Sequence, residues 1–219
     1  MRRAPAIARD YALALRWRAA ALRGGAAPAA WSSGTRHPVV LVPGVWEPWL
    51  FLRELGRRLH EAGHPVHVVP EVRRNNAPIP AVAAIVYAEI ERRGLRGVRL
   101  VAHSKGGLIG KYMLANLDSA ARIDRLIAIA TPFQGSSRAK YTLAPALREF
   151  HPENPTIRAL AAQTQVNDRI TSIFGAYDFH VPAGSALEGA TNVEVPYIGH
   201  FGVLTDERVI AAVLEAVAG

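Results

Sequence analysis

The sequence has no cysteine. That excludes a disulfide framework, a thiolate nucleophile and any metal site with cysteine ligands. Lysine is scarce too, occurring only at positions 105, 111 and 140, so nearly all the positive charge is arginine. No apolar stretch has the length a bilayer requires. The nearest candidate, Ala4 to Leu22, is interrupted by Arg9, Asp10, Arg16 and Arg18. The same interruptions spoil it as a signal-peptide core, so the expected location is cytoplasmic. Acidic residues are almost missing from positions 1–36, which hold seven Arg and one Asp. Of the net charge of +8, +6 lies in that segment and +2 in residues 37–219. A nearly neutral body offers nucleic acid no basic face. No histidine pair has zinc-ligand spacing, and no internal repeat or second domain is visible.

Against these absences stands a chain of 219 residues, half of them hydrophobic and a fifth charged. That is enough for a single domain with a full buried core. Residues 1–36 read as a basic Arg/Ala-rich segment and linker, residues 37–219 as the domain. Ala4 to Leu22 is expected to be helical, with Ile7, Tyr11, Ala14, Leu15 and Leu22 on one face and Gly24-Gly25 as its stop. Two readings are open for it. It is either a basic amphipathic helix that makes weak contact with an anionic membrane surface, or a packed leader without a role. The weak apolar face favours the second.

Six short strand patterns follow, the first of them all apolar: Pro38–Val42, Pro65–Val69, Val98–Ala102, Arg125–Ala130, Ile170–Phe174 and Asn192–Val195. Helical patterns lie between them, at about Pro48–Ala62, Ile79–Arg93 and Leu108–Leu117, and a closing helix spans Thr205–Ala218 with Thr205 as N-cap. Strands alternating with helices predict an α/β fold, a mainly parallel sheet of about six strands with helices on both faces. Ligands bind such sheets beyond the carboxyl ends of the strands.

The third run leads into the pattern around which the chain is organised, Ala102-His103-Ser104-Lys105-Gly106-Gly107. A strand, a tight turn with one Ser at its apex and a helix form a nucleophile elbow, provided that the residues two before and two after the Ser are small. The helix N-terminus then stabilises an anion formed beside the hydroxyl. Such a Ser needs a base, and the base needs a carboxylate. His103 adjoins Ser104, but in a tight turn its side chain points away. His200 lies directly after the sixth strand, with Gly199 permitting an unusual turn, and Asp178 follows the fifth. The chain order Ser104, Asp178, His200 is that of the elbow enzymes. His180 is an alternative base, though close to Asp178 in sequence. Asp168 and Asp206 suit surface or capping roles, and His37, His60, His64, His67 and His151 look exposed or strand-edge. The backbone N–H groups of Val45, in the loop after the first strand, and of Lys105 are the expected oxyanion donors. Trp46 and Phe133 are candidate substrate contacts. The Lys105 side chain is either a cation at the site mouth, favouring an anionic substrate, or a solvated group.

Taken together, Leu41-Val42-Pro43-Gly44-Val45, the Ser104 elbow, Thr131-Pro132-Phe133-Gln134-Gly135-Ser136, Gly175-Ala176-Tyr177-Asp178-Phe179-His180-Val181-Pro182 and Gly199-His200-Phe201 resemble an α/β-hydrolase of the bacterial triacylglycerol lipase/esterase type over residues 37–218. The resemblance implies nucleophile Ser104, acid Asp178, base His200 and oxyanion donors Val45 and Lys105. It departs from the family at Pro43-Gly44, where His-Gly is common, and at Lys105, where the residue is commonly apolar. The family's first strands are missing, so a reduced sheet is expected. Residues 133–165, with Phe133, Tyr141, Leu143, Leu147, Phe150, Ile157 and Leu160, form either a short lid or acyl-binding wall, or a helix pair packed on the core. The expected function is a serine carboxylic-ester hydrolase that needs no metal or cofactor and acts on a small-molecule or lipid ester. Acyl transfer or thioester hydrolysis at the same residues, and a non-catalytic binding protein, are the rivals.

Overall fold

The structure, a computed structural model, describes residues 3–22 and 25–219. Six strands form one sheet: β1 (Val39–Val42), β2 (Val66–Val68), β3 (Val98–His103), β4 (Ile123–Ile129), β5 (Ile170–Tyr177) and β6 (Thr191–Ile198). Their spatial order is β2-β1-β3-β4-β5-β6, and every pair is parallel. The apolar runs in β1 and β3 have the composition of strands covered on both faces, and both strands are buried throughout.

Alternate residues of these strands point into two separate cores. Val40, Val42, Leu100, Ala102, Leu126 and Ala128 meet α3 (Ile79–Arg92), α4 (Lys105–Asn116) and α6 (Pro155–Ala162). Val39, Leu41, Val101, Ile127, Ile129 and Ile173 meet α2 (Arg53–Glu61), α7 (Glu207–Ala218) and the N-terminal helix α1 (Arg3–Ala21). The remaining α-helix, the short α5 (Pro145–Arg148), lies between β4 and α6 in the chain. None of the described helices is long and apolar enough to cross a membrane.

Three expectations about the elements change. The cap of α7 is Asp206, whose carboxylate accepts the Arg208 N–H at 3.0 Å, while Thr205 closes the preceding turn through Oγ1 to the Gly202 carbonyl. The carboxylate, one position later, takes the orphan amide that the hydroxyl was expected to take. In α1 the buried positions are Asp10 and Ala14, with Trp17 packing edge-on against Phe51 at 5.2 Å. Leu15 and Leu22, assigned to the apolar face, are 63% and 79% exposed. The helix is rotated by a buried acid, whose partners are described below. Of its expected Gly24-Gly25 stop, Gly24 lies outside the described residues. Finally, neither His64 nor His67 is exposed: both are buried, and His67 lies in the edge strand β2. Burial lowers both imidazole pKa values, and His64 Nδ1 lies 2.9 Å from the His37 carbonyl oxygen.

The segment 133–165 divides by position. Phe133, Ile157 and Leu160 are in the core, Leu147 and Phe150 reach the cavity described below, and Tyr141 and Leu143 face solvent.

The start of α4 sits directly against the end of β1. A Cβ on Gly106 would fall inside the van der Waals envelope of the Val42 carbonyl oxygen, which is backbone and has no freedom to yield. Gly106→Ala is therefore expected to cost about 3 kcal/mol or more, read as a lower urea midpoint at unchanged slope.

Candidate active site

The site lies at the carboxyl ends of β1, β3, β5 and β6. Ser104 follows β3 at φ 52°, ψ −119°, a region that non-glycine residues avoid. Its backbone is held there by its own N–H to the Ile129 carbonyl, 2.8 Å, and by the Gly107 N–H to its own carbonyl, 3.0 Å. Gly106 and Gly107 allow the tight approach, because a Cβ on the second would strike Thr131.

Ser104 Oγ donates to His200 Nε2 at 3.0 Å, and His200 Nδ1–H donates to Asp178 Oδ2 at 2.5 Å. All three residues are buried. The other oxygen of Asp178 accepts the backbone N–H groups of His180, 2.7 Å, and Val181, 3.2 Å, so the carboxylate cannot rotate. Burial alone favours a neutral carboxyl at Asp178, but the charge and hydrogen bond of His200 bring its pKa below the usual value. For His200 burial favours the neutral ring, and the attraction of Asp178, with Glu47 and Asp10 adding, carries its pKa above the usual imidazole value.

His180 is outside this chain. It meets Asp178 through its backbone, while its ring Nε2 lies 2.9 Å from Tyr11 Oη. Burial and the neighbouring His200 charge lower its pKa to about 3, so it stays neutral, its ring centre 4.8 Å from that of His200 and tilted to it by 42°.

Residues without a role in the sequence reading surround the turn after β1. Buried Glu47 accepts the Gly44 N–H at 2.7 Å and meets His103 Nδ1 at 2.8 and 3.0 Å. His103 Nε2 then donates to the His200 carbonyl at 2.9 Å. A proton must therefore lie in the contact between Nδ1 and Glu47. His103 does point away from Ser104, as expected, but it links the turn after β1 to the turn after β6. Asn75, fully buried, donates to the Pro43 carbonyl at 2.7 Å. With both Pro43 and Gly44 held, the Val45 and Lys105 N–H groups find no acceptor among the described residues. Trp46 is at positive φ, 57°, and borders the cavity.

That cavity, about 280 Å³, opens over Ser104 and His200. Val45, Trp46, Pro132, Leu147, Phe150 and Phe201 make much of its wall, and Tyr11, Ala14, Leu15 and Arg18 of α1 complete it. Two expectations are corrected here. Phe133 is 2% exposed within the core, with Lys111 Nζ 5.9 Å from its ring centre, and does not border the cavity. The Lys105 side chain is neither at the mouth nor solvated. It is fully buried, with Nζ 2.8 Å from Glu149 Oε2 and 2.5 Å from the Ala77 carbonyl. Since α4 begins immediately after Ser104, Lys105 is directed along the flank toward α3. Burial lowers its pKa, opposed by Glu149. Among the described residues no cluster of three or more His, Asp or Glu is arranged to hold a metal ion.

The arrangement is that of the α/β-hydrolase fold. No family model matches the chain. Among solved structures, lipase B of Aspergillus fumigatus superposes with a TM-score of 0.72 at 20% identity, over 88% of this chain and 55% of that one. A Bacillus licheniformis lipase in mature form gives 0.65 at 15% identity, over 90% and 95%. An enol-lactonase from Burkholderia xenovorans gives 0.61 at 15% identity, over 85% and 93%.

Glu149 also accepts the Ile79 N–H at 2.7 Å, so it both neutralises Lys105 and caps α3. Glu149→Ala is expected to destabilise the protein by about 3–5 kcal/mol, since it strands a buried ammonium. A buried lysine has its pKa depressed in the folded state, so the unfolded chain binds more protons. The penalty therefore eases as pH rises toward the free-lysine range, measurable as a converging urea midpoint for variant and wild type.

Proposed function

We propose that the chain is a serine carboxylic-ester hydrolase. The observation that carries this reading is His200, which bridges Ser104 and Asp178 at 3.0 and 2.5 Å beneath an apolar cavity. In the reaction Ser104 Oγ attacks the ester carbonyl carbon as His200 Nε2 takes its proton. Asp178 holds the ring in the tautomer that leaves Nε2 free to accept, and its charge stabilises the imidazolium that forms. The negative oxygen of the tetrahedral intermediate is received by the Val45 and Lys105 N–H groups, which need no reorganisation to reach it. The intermediate collapses, His200 returns the proton to the leaving alcohol, and an acyl group remains on Ser104. Water, deprotonated by His200, repeats the sequence and releases the acid.

The cavity wall favours an apolar acyl group. The solved lipases and the enol-lactonase of the same fold support ester bonds as the target.

Ser104→Ala is expected to keep the fold and reduce p-nitrophenyl ester hydrolysis by several powers of ten, and a fluorophosphonate probe is expected to label wild type at Ser104 in peptide mass mapping. Hydrolysis undiminished in the variant would overturn the assignment. The pH dependence has a definite sign. His200 acts as a base only when neutral and its pKa is raised, so kcat/KM is expected to climb with pH through one ionisation above the free imidazole range. A rate–pH profile with its acid limb at or below that range would contradict this.

A further inference from the structure

Helix α1 brings one acidic residue to the site, and its position is unusual. Asp10 is 4% exposed and has no ion-pair partner among the described residues. Its carboxylate is satisfied entirely by three consecutive backbone amides. Oδ2 accepts the His200 N–H at 2.8 Å, both oxygens share the Phe201 N–H at 3.1 Å, and Oδ1 accepts the Gly202 N–H at 2.7 Å. These charge-assisted bonds offset the cost of burying the charge.

The turn is shaped around that carboxylate. Gly199 is at φ 141°, and a Cβ there would come within 2.5 Å of Asp10 Oδ1. From the other side, the His200 carbonyl is held by His103. The His200 backbone is thus fixed at its N–H by α1 and at its carbonyl by the residue before the nucleophile. Its ring has little choice but to span Ser104 and Asp178.

We propose that Asp10 is a positioning residue for the reaction: by holding the amides of residues 200–202 it sets where the His200 ring lies between Ser104 and Asp178. The inference rests on the hydrolase reading of the site and assigns α1, the most basic and least distinctive part of the sequence, a part in turnover. Asp10 touches no substrate. With α1 still docked the cavity wall is unchanged, and the effect of the carboxylate passes through the turn that carries His200 to the rate of the chemical steps.

The test is Asp10→Asn in the full chain. An amide keeps the shape but offers one acceptor oxygen to three N–H donors and turns its own N–H groups toward them. Expected are a circular dichroism spectrum like wild type, a kcat about 100-fold lower, an unchanged KM, and a shift of the His200 Cε1–H resonance in the NMR spectrum. Should Asn prevent folding, Asp10→Glu keeps the charge but moves it by one methylene, and the same three readouts apply. A folded variant with lower thermal stability but with wild-type kcat and an unmoved His200 resonance would make Asp10 a docking contact only and overturn the proposal. The resonance is read without turnover, which separates the two ideas. If it shifts in the variant while wild type hydrolyses no ester, the hydrolase reading falls and the placement of His200 by Asp10 stands.

Discussion

Ser104 occupies a backbone conformation that costs free energy, and the surrounding structure keeps the chain from relaxing out of it. Its N–H is tied to β4, its carbonyl to the first turn of α4, and the two glycines that follow leave no gap between α4 and the ends of β1 and β4. The direction of α4, the opening over its N-terminus and the aim of the hydroxyl all follow from this turn. Lys105 and Glu149 lock the same helix start from the flank, so the charge beside Ser104 is spent inside the fold and not presented to the cavity.

Around the opposing histidine the problem is electrostatic. Three acids lie close to it, and each is satisfied differently: Asp178 by the ring and two amides, Asp10 by three amides, Glu47 by His103 and an amide. Buried carboxylates are tolerated only when every oxygen has a donor, and here the donors are mostly backbone groups of turns at the sheet's edge. Those turns gain their rigidity from the acids. The loop after β1 and the loop after β6 are therefore parts of one hydrogen-bonded network, connected through His103.

Much of this can be read from sequence, and the part that cannot has a physical reason. Strands buried on both faces appear as apolar runs, as β1 does, and a strand end followed by Ser, Asp or His marks Ser104, Asp178 and His200, which the structure brings into hydrogen-bond reach. Residues whose partners are remote amides leave no such trace. Asp10 reads as an interruption in a weak helix, and Glu47 as one acid among tryptophans and prolines. Nothing local shows that the one binds a turn 190 positions away or the other a histidine 56 positions away. The direction of Lys105 and the burial of Phe133 are likewise set by which helix packs beside them, which periodicity does not contain. The only forewarning of Asp10 was its isolation as the single acid in the first 36 residues.

The contact between Asp10 and the turn after β6 also has a temporal side. During synthesis α1 emerges early, yet its buried carboxylate has no donors until the chain has grown 190 residues further. Until then the acid is solvated by water, and burying it would leave it without donors, so the helix cannot dock fully ahead of the turn after β6. Closing so long a loop is paid for in chain entropy before any contact rewards it, and folds dominated by such pairings form slowly. Docking of α1 therefore belongs among the last events in folding, and the cavity gains its α1 side only when the rest of the sheet is in place. A ribosome-bound chain would carry Ser104 in its turn long before it carried a competent site.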